Sequence, residues 1–342
     1  MMGAYIKGIG MLVGMIFGAG MFAVPYVFSK AGLFWGIFHF VISFFILVFL
    51  HLWYGEVAYY ARGKHRFTGY VEMFLGTKAK VLAFLITLGS FYGSLLVYGI
   101  LGGIFLSNIF SQFSAAQMSV LFFVLGSIVA LWNMNKIAVV NFYLTVPLFG
   151  FIIYLFFLAI PNININNILS NREIFNSDWF LPYGVWLFAL TGFSALPDVR
   201  DIFSKMPIKN FKRVIWWSLL LSALFYFLFI VSIWGVSGEF TSEDALSGIA
   251  AILGRDAFFL GSLIGFLAVF TSFVALAADM RGVFSYDYKI SAIPAWAFTI
   301  IPPIIFFFLF ANGFVNMLAV IGTLGMGLLG VFIILMRRQG NQ

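Results

Sequence analysis

The chain has 342 residues, of which 63% are apolar or aromatic and only 9% are charged. Soluble domains contain about 45–50% apolar and about 25% charged residues, so this composition excludes a soluble enzyme, a disordered chain and a nucleic-acid-binding protein. The chain has no cysteine, which excludes disulfides and cysteine-based metal sites. The predicted environment is a lipid bilayer, and the net charge of +7 is interpreted as a topology signal.

Stretches without Lys, Arg, Asp or Glu identify the membrane spans, because a transmembrane helix needs about 20 apolar residues. Six stretches have single length and two have double length; they are residues 8–29, 31–55, 81–135, 137–171, 179–197, 214–238, 257–278 and 290–336. Polar turns at residues 111–114 and 311–313 divide the two long stretches. The predicted fold class is therefore an all-α integral membrane protein with ten transmembrane helices in a single domain, residues 1–342. These are numbered below as spans 1 to 10.

The distribution of Lys and Arg predicts the orientation of the spans. If the N-terminus lies inside, sixteen of the 19 basic residues are on the inner side, and only Lys30, Arg172 and Arg255 are outside. We therefore expect a multi-pass protein of the cell membrane with both termini in the cytoplasm. The first span is expected to be retained and not cleaved, because Pro25 and Tyr26 stand where a signal peptide would have small residues.

Spans 1 and 6 contain a short internal repeat. Residues 20–25 and 192–197 both read Gly-x-x-Ala-(Val or Leu)-Pro. A match over only six residues can also arise by chance. Because five spans separate the two copies, they would enter the membrane from opposite sides. The sequence thus predicts inverted repeats at about residues 5–160 and 178–336.

The glycines of these segments favour broken helices. Glycine inside a helix is less favourable than alanine by about 1 kcal/mol, and Gly18 and Gly20 flank a single alanine near mid-span. The alternative is close helix packing, which Gly10, Gly14 and Gly18 also fit. A broken helix presents free N–H groups to a carboxylate, and the preceding half-helix presents free carbonyls to an ammonium group. Two adjacent breaks would bind a zwitterion without a charged side chain.

The segments GMIFGAGMFAVPYVFSKAG (residues 14–32) and LPYGVWLFALTGFSALPDV (residues 181–199) resemble the amino-acid/polyamine/organocation superfamily. Within it the chain is most similar to the amino acid/auxin permease and the aromatic amino-acid (Trp/Tyr) permease families. The resemblance covers nearly the whole chain and implies the LeuT-like fold, a 5+5 inverted repeat with helices 1 and 6 broken. Many relatives have an eleventh or twelfth span, whereas ten spans are predicted here, and this difference is not expected to remove the site.

The resemblance also implies a substrate site at the two breaks. The substrate carboxylate would bind the amides of Gly18, Ala19, Gly20 and Met21, so a leucine at Gly20 is expected to fill the space that it needs. The ammonium group would bind the carbonyls of Ile16, Phe188, Ala189 and Thr191. Phe193 is also assigned to this site, and span 3 would supply a wall from Tyr92, with Gly93, Leu96 and Tyr98 as further candidates.

A coupling-ion site is implied between spans 1 and 8. In sodium-coupled relatives two carbonyls of span 1, here Gly14 and Phe17, join an adjacent hydroxyl pair of span 8, here Thr271 and Ser272. Hard oxygen ligands suit a small hard cation, but such hydroxyls also commonly bond the preceding turn of their own helix. Proton coupling stays open, and its candidate groups are His39, His51, Glu56 and Asp198.

The predicted function is secondary active, cation-coupled symport of a neutral amino acid by a monomer in the lipid bilayer, without a cofactor other than a possible Na⁺. The alternatives are a proton-coupled aromatic amino-acid permease and a non-transporting sensor with the same fold. A channel would need a polar stripe along a pore, and an intramembrane enzyme would need catalytic pairs at mid-span. Neither pattern is present in the sequence.

Overall fold

A computed structural model describes residues 2–132, 134–169, 176–310 and 313–340, without the side chains of residues 134–145 and Phe310. Arg172 and the predicted turn residues Ala311 and Asn312 lie outside the described residues. Within the described ranges the regular structure is entirely helical.

The described residues before 170 form seven α-helices: α1 (Met2–Ile16), α2 (Ala19–Tyr60), α3 (Phe67–Leu75), α4 (Thr77–Ile109), α5 (Ala115–Val129), α6 (Met134–Ala159) and α7 (Ile165–Leu169). The backbone of α2 is not helical at Gly32, which has φ 84°. Only glycine adopts this conformation without a steric penalty, so α2 consists of two helices that meet at Gly32.

From residue 176 onwards, the part of the chain that the structure describes forms eight α-helices: α8 (Leu181–Ala189), α9 (Leu196–Phe203), α10 (Ile208–Ser237), α11 (Ala250–Leu253), α12 (Arg255–Gly282), α13 (Ala292–Phe310), α14 (Phe314–Val320) and α15 (Gly327–Gly340). A π-helical segment, Ile321–Met326, joins α14 to α15, and another, Val283–Asp287, follows α12. Predicted span 1 coincides with α1 and the first part of α2, and predicted span 6 coincides with α8 and α9.

Six helices of the described chain are long and apolar enough to cross a membrane: Ala19–Tyr60, Thr77–Ile109, Ile208–Phe240, Arg255–Asp287, Ala292–Leu309 and Phe314–Gly340. Shorter apolar helices cover Met2–Ile16, Ala115–Val129 and Val146–Asn162. Large apolar side chains such as Phe308 and Phe157 are exposed on the outside of the bundle, as expected where lipid is the solvent. The protein is therefore a multi-pass membrane protein.

The segments between α1 and α2 and between α8 and α9 lie at the centre of the bundle. Helix α8 packs against α2, α10 packs against α1 and α2, and α12 packs against α4 and α6. The indole of Trp186 on α8 is fully buried and donates a hydrogen bond of 3.1 Å to the carbonyl of Gly36 on α2. This packing brings the ends of α1 and α8 together.

The short helix α3 is held by a carboxylate from the other half of the chain. Asp287 accepts hydrogen bonds from the Thr68 hydroxyl at 2.7 Å, the Gly69 amide at 2.8 Å and the Arg66 amide at 3.2 Å. These donors belong to the first turn of α3 and the residue before it, where helical amides have no carbonyl partner. Asp287 thus caps α3 and ties it to the end of α12.

Replacing Asp287 with alanine should lower the stability of the protein by about 1–3 kcal/mol, because three buried donors lose their acceptor. The measurement is the thermal unfolding midpoint in detergent. Glu239→Gln, a change at an exposed carboxylate elsewhere, is the control and should leave the midpoint unchanged. An equal midpoint for Asp287→Ala would show that α3 is held by other contacts.

Candidate functional site

Helical hydrogen bonding is interrupted between α1 and α2. Helix α1 ends at Ile16, and Gly18 has an extended backbone with φ −130° and ψ −148° before α2 begins at Ala19. The Gly18 amide turns back to the Ile16 carbonyl at 2.9 Å. The amides of the first turn of α2, starting at Ala19 and Gly20, have no preceding helical carbonyl. The amides of Ala19 and Gly20 are therefore available to an anionic group, whereas the Met21 amide donates to the Gly18 carbonyl at 3.3 Å.

A second interruption lies between α8 and α9. Helix α8 ends at Ala189, and Gly192 precedes a 3₁₀ turn that leads into α9. The Gly192 amide donates to Nε2 of His51 at 2.9 Å, while Nδ1 of His51 donates to the Leu47 carbonyl at 2.7 Å. His51 on α2 therefore satisfies a backbone group at this interruption.

The two interruptions are in direct contact. A Cβ atom at Gly20 would lie 2.5 Å from the Cα of Ala189, and one at Gly192 would lie 2.8 Å from Leu12 and 2.9 Å from Ile16. Gly20 therefore faces the backbone of α8. A leucine at Gly20 would therefore do more than fill the space of a substrate carboxylate, because its Cβ atom meets the backbone of α8.

Even the small change Gly20→Ala should destabilise the protein by about 1–3 kcal/mol, since overpacking forces backbone shifts. The measurement is the fraction of monodisperse protein in detergent and its unfolding midpoint. Gly150→Ala, where a Cβ would meet nothing within 4 Å, serves as the matched control. Wild-type stability of Gly20→Ala would mean that α2 and α8 are less closely packed than the structure shows.

Tyr226 links the two interruptions and was missed from the sequence. Its buried hydroxyl lies 2.8 Å from the carbonyl of Ile16 and 2.8 Å from that of Ala189. These are two of the carbonyls predicted to receive an ammonium group, and they are indeed brought together. A single tyrosine in an apolar helix that is rich in phenylalanine gave no signal of this role.

Tyr98, not Tyr92, lies at the interruption of span 1. A Cβ atom at Gly18 would be 3.1 Å from the Tyr98 hydroxyl and 3.1 Å from the Ser272 hydroxyl. The Tyr92 hydroxyl instead donates to the Phe298 carbonyl on α13 at 2.6 Å. Of the two tyrosines considered on span 3, only Tyr98 contacts the segment around Gly18.

The predicted cation ligands of spans 1 and 8 are partly brought together. The Ser272 hydroxyl donates to the Phe17 carbonyl at 3.1 Å, which joins α12 to the end of α1. The Thr271 hydroxyl donates to the Ala268 carbonyl of its own helix at 3.0 Å, and Gly14 is buried in the last turn of α1. The structure thus brings Ser272 and Phe17 together, whereas the Thr271 hydroxyl bonds its own helix.

A cavity extends from the interruption of α8 towards α3. Of the predicted substrate residues, Phe188, Thr191 and Phe193 line it. Its other walls are largely aromatic and aliphatic, and they include Met15, Phe91, Tyr98, Leu276, Met326 and Leu329. The cavity is therefore suited to an apolar, ring-containing group next to the end of α8.

The end of the cavity near α3 carries a buried ion cluster. Arg66 forms a two-pronged ion pair with Asp198 at 3.1 Å for each prong and a second pair with Asp279 at 3.2 Å. Burial alone would lower the pKa of the Arg66 guanidinium, but Asp198 and Asp279 raise it above its ordinary value, so Arg66 remains charged. Asp279 lines the cavity and was missed because it directly follows the charge-free stretch 257–278.

The other proton-site candidates have different surroundings. Nε2 of His39 bonds the Trp179 carbonyl at 3.0 Å, and its ring stacks on Trp35. Glu56 forms ion pairs with Lys212 and Arg337. Neither His39 nor Glu56 lines the cavity described above, whereas Asp198 belongs to its ion cluster.

Two solved transporter structures resemble this fold. Mhp1, a nucleobase-cation-symport-1 family transporter in a closed conformation with bromovinylhydantoin bound, has a TM-score of 0.74 and 13% identity, covering 96% of this chain and 77% of that one. MhsT in complex with L-phenylalanine has a TM-score of 0.68 and 16% identity, covering 96% and 87%. At these identities the likeness concerns the fold, and it confirms the LeuT-like class.

The family can be assigned from the sequence of the whole chain. A comparison with curated proteins gave no match. The model of the tryptophan/tyrosine permease family, however, matches residues 1–342, which confirms the resemblance seen in spans 1 and 6. The protein is thus a transporter of amino acids or related substrates and not an enzyme, and the chain belongs to the tryptophan/tyrosine permease family.

Proposed function

We propose that this protein is a secondary active transporter that carries an aromatic amino acid across the cell membrane by alternating access, in symport with a cation. The observation that carries the proposal is a cavity with aromatic walls, formed by Phe91, Tyr98, Phe188 and Phe193, beside the interruption of α8. Aromatic side chains pack favourably edge to face, so these walls suit an indole or phenol ring. Membership in the family supports the same class of substrate.

The proposed architecture is the ten-span inverted repeat with spans 1 and 6 broken, oriented with both termini in the cytoplasm and active as a monomer. The helix ends at Ile16 and Ala189 support the two breaks. The uneven distribution of Lys and Arg supports the orientation. In this arrangement the cavity end at Arg66 faces the cytoplasm.

The proposed recognition of the amino-acid backbone uses main-chain groups. The amides of Ala19 and Gly20 at the start of α2 receive the carboxylate, where the helix dipole also favours negative charge, whereas those of Gly18 and Met21 already donate to carbonyls of the chain. The ammonium group binds carbonyls at the ends of α1 and α8. Although the Tyr226 hydroxyl contacts the Ile16 and Ala189 carbonyls, a carbonyl has two lone pairs, so each retains one acceptor site.

The proposed coupling ion is Na⁺, bound between α1 and α12. The 3.1 Å contact between the Ser272 hydroxyl and the Phe17 carbonyl supports this position, and Thr271 and Gly14 complete the proposed set. When Na⁺ binds, the hydroxyls turn their lone pairs towards the ion and give up their present hydrogen bonds. Na⁺ prefers such hard oxygen ligands.

The experiment is counterflow in proteoliposomes loaded with unlabelled amino acid. Labelled tryptophan, tyrosine or phenylalanine should accumulate, whereas alanine and lysine should not compete for uptake. Saturable binding of tryptophan without counterflow would identify the protein as a sensor and contradict transport. Equal competition by alanine would contradict an aromatic pocket.

A further inference from the structure

The ion cluster at the cavity end contains one guanidinium shared by two carboxylates. Arg66 lies in the segment between α2 and α3, Asp198 lies on α9 and Asp279 lies on α12. The 3.2 Å pair of Arg66 with Asp279 therefore joins α12 to the segment at Arg66. Separating α12 from the segment at Arg66 would widen the cavity at this end, and it requires this pair to break.

The two carboxylates are not equivalent. The side chain of Asp198 is 42% exposed, whereas that of Asp279 is 8% exposed. If Asp198 loses its ion pair, water solvates its carboxylate. The ion pair of this partly exposed side chain therefore contributes little to stability. A buried carboxylate that loses its cation is costly in its charged form and takes up a proton instead.

We propose that Asp279 is a proton-binding site of the transport pathway, and that its protonation separates α12 from Arg66 and opens the cavity towards α3. The inference rests on the proposed function only in treating this cavity as part of that pathway. Arg66 retains its pair with Asp198 in the open form, so the guanidinium remains compensated. The proton on Asp279 removes the charge of a buried carboxylate that has lost its cation.

The groups that face Asp279 favour this assignment. Besides Arg66, they are the carboxylates of Asp198 and Asp287, the hydroxyl of Ser194, which bonds Asp279, and the phenol of Tyr54. Asp287 is already compensated by donors of α3. Once Arg66 moves away with Asp198, the nearby negative charge of Asp287 disfavours a charge on Asp279.

The absence of cysteine from the chain allows a direct test. Thr87 on α4 lines the same cavity, and Thr87→Cys introduces a single thiol there with little change in volume. The rate of modification by a charged, membrane-impermeant thiol reagent, added to inside-out vesicles, reports how open the cavity is on the proposed cytoplasmic side. Lys78→Cys, at an exposed position in the first turn of α4, corrects each rate for the pH dependence of the thiol.

The corrected rate for Thr87→Cys should rise as the pH falls, by up to about tenfold per pH unit for a single proton. Adding Asp279→Asn, which mimics the neutral acid, should make the rate high at every pH. Adding Asp198→Asn should keep a pH dependence but move it to lower pH, because Asp279 is then the remaining carboxylate of the buried Arg66 guanidinium and is held in its charged form more strongly.

A corrected rate that does not change with pH would overturn the proposal, and this measurement needs no substitution at Asp279. A high rate at every pH in Asp198→Asn, the same as in Asp279→Asn, would also overturn it, because loss of either carboxylate would then open the cavity and Asp279 would have no role of its own. Labelling requires no substrate, so failure of amino-acid counterflow would contradict the proposed function without deciding this question.

Discussion

Replacing Gly18 with alanine should weaken the binding of tryptophan or tyrosine by about a hundredfold and leave the protein folded. Each hydrogen bond to a charged group contributes about 1.5–3 kcal/mol, and losing one or two bonds to the carboxylate corresponds to about that factor. The added Cβ would lie 3.1 Å from the hydroxyls of Tyr98 and Ser272. It would stand where the carboxylate approaches the amides of α2.

The fold should tolerate this change for two reasons. The backbone of Gly18 has φ −130°, a value that alanine adopts readily. The atoms nearest to the new Cβ belong to the side chains of Tyr98 and Ser272, which can shift. Gly18→Ala therefore differs from Gly20→Ala, in which the new atom meets the backbone of Ala189.

The measurement is equilibrium binding of labelled tryptophan to purified protein in detergent. Gly89→Ala is the control, because it lies on α4 like Tyr98 and a Cβ there meets nothing within 4 Å. It should bind as the wild type does. Unchanged affinity in Gly18→Ala would remove the carboxylate from this part of α2.

The sequence located local features well because they depend on neighbouring residues. The absence of charge identified the apolar helices, and glycine identified the segments in which α1 and α8 end. Resemblance then directed attention to Phe17 and Ser272, whose contact spans 255 positions of the chain. Each of these inferences used a pattern within one or two segments.

Contacts between distant helix faces could not be predicted in this way. Tyr92 and Tyr98 lie on the same helix, six residues or about 1.7 turns apart. Their side chains therefore point about 120° apart around the helix axis. A single apolar helix without a polar face does not show which direction faces the cavity. For the same reason Tyr226 and the pair formed by Arg66 and Asp279 became apparent only in the structure.

The largest effect on coupling is expected from Thr271→Val combined with Ser272→Ala. In the wild type, substrate affinity should rise with sodium, and by linkage sodium affinity should rise by the same factor with substrate. The double variant removes both hydroxyl ligands and should abolish this mutual dependence. Affinity for tryptophan in sodium-free buffer should change little, since the substrate groups at Gly18 and Ala189 are untouched.

The two hydroxyls have different hydrogen-bond partners, so their substitutions are expected to have different effects. Ser272 contacts the Phe17 carbonyl of another helix, whereas Thr271 bonds only to Ala268 among the hydrogen bonds described for its side chain. Ser272→Ala alone should therefore remove most of the sodium effect. Thr299→Val on α13, whose hydroxyl bonds the Ala295 carbonyl at 2.8 Å, is the control for loss of a hydroxyl bonded to its own helix.

The decisive measurement is tryptophan uptake into proteoliposomes driven separately by a sodium gradient and by a pH gradient. Sodium-driven accumulation that disappears in the double variant and persists in Thr299→Val would establish the ion site between α1 and α12. Accumulation driven only by the pH gradient would contradict sodium coupling. The contact of Ser272 with Phe17 would then serve to join the two helices, and Asp279, Asp198 and His51 would be the groups to replace next, since they lie at the cavity or at the interruption of α8.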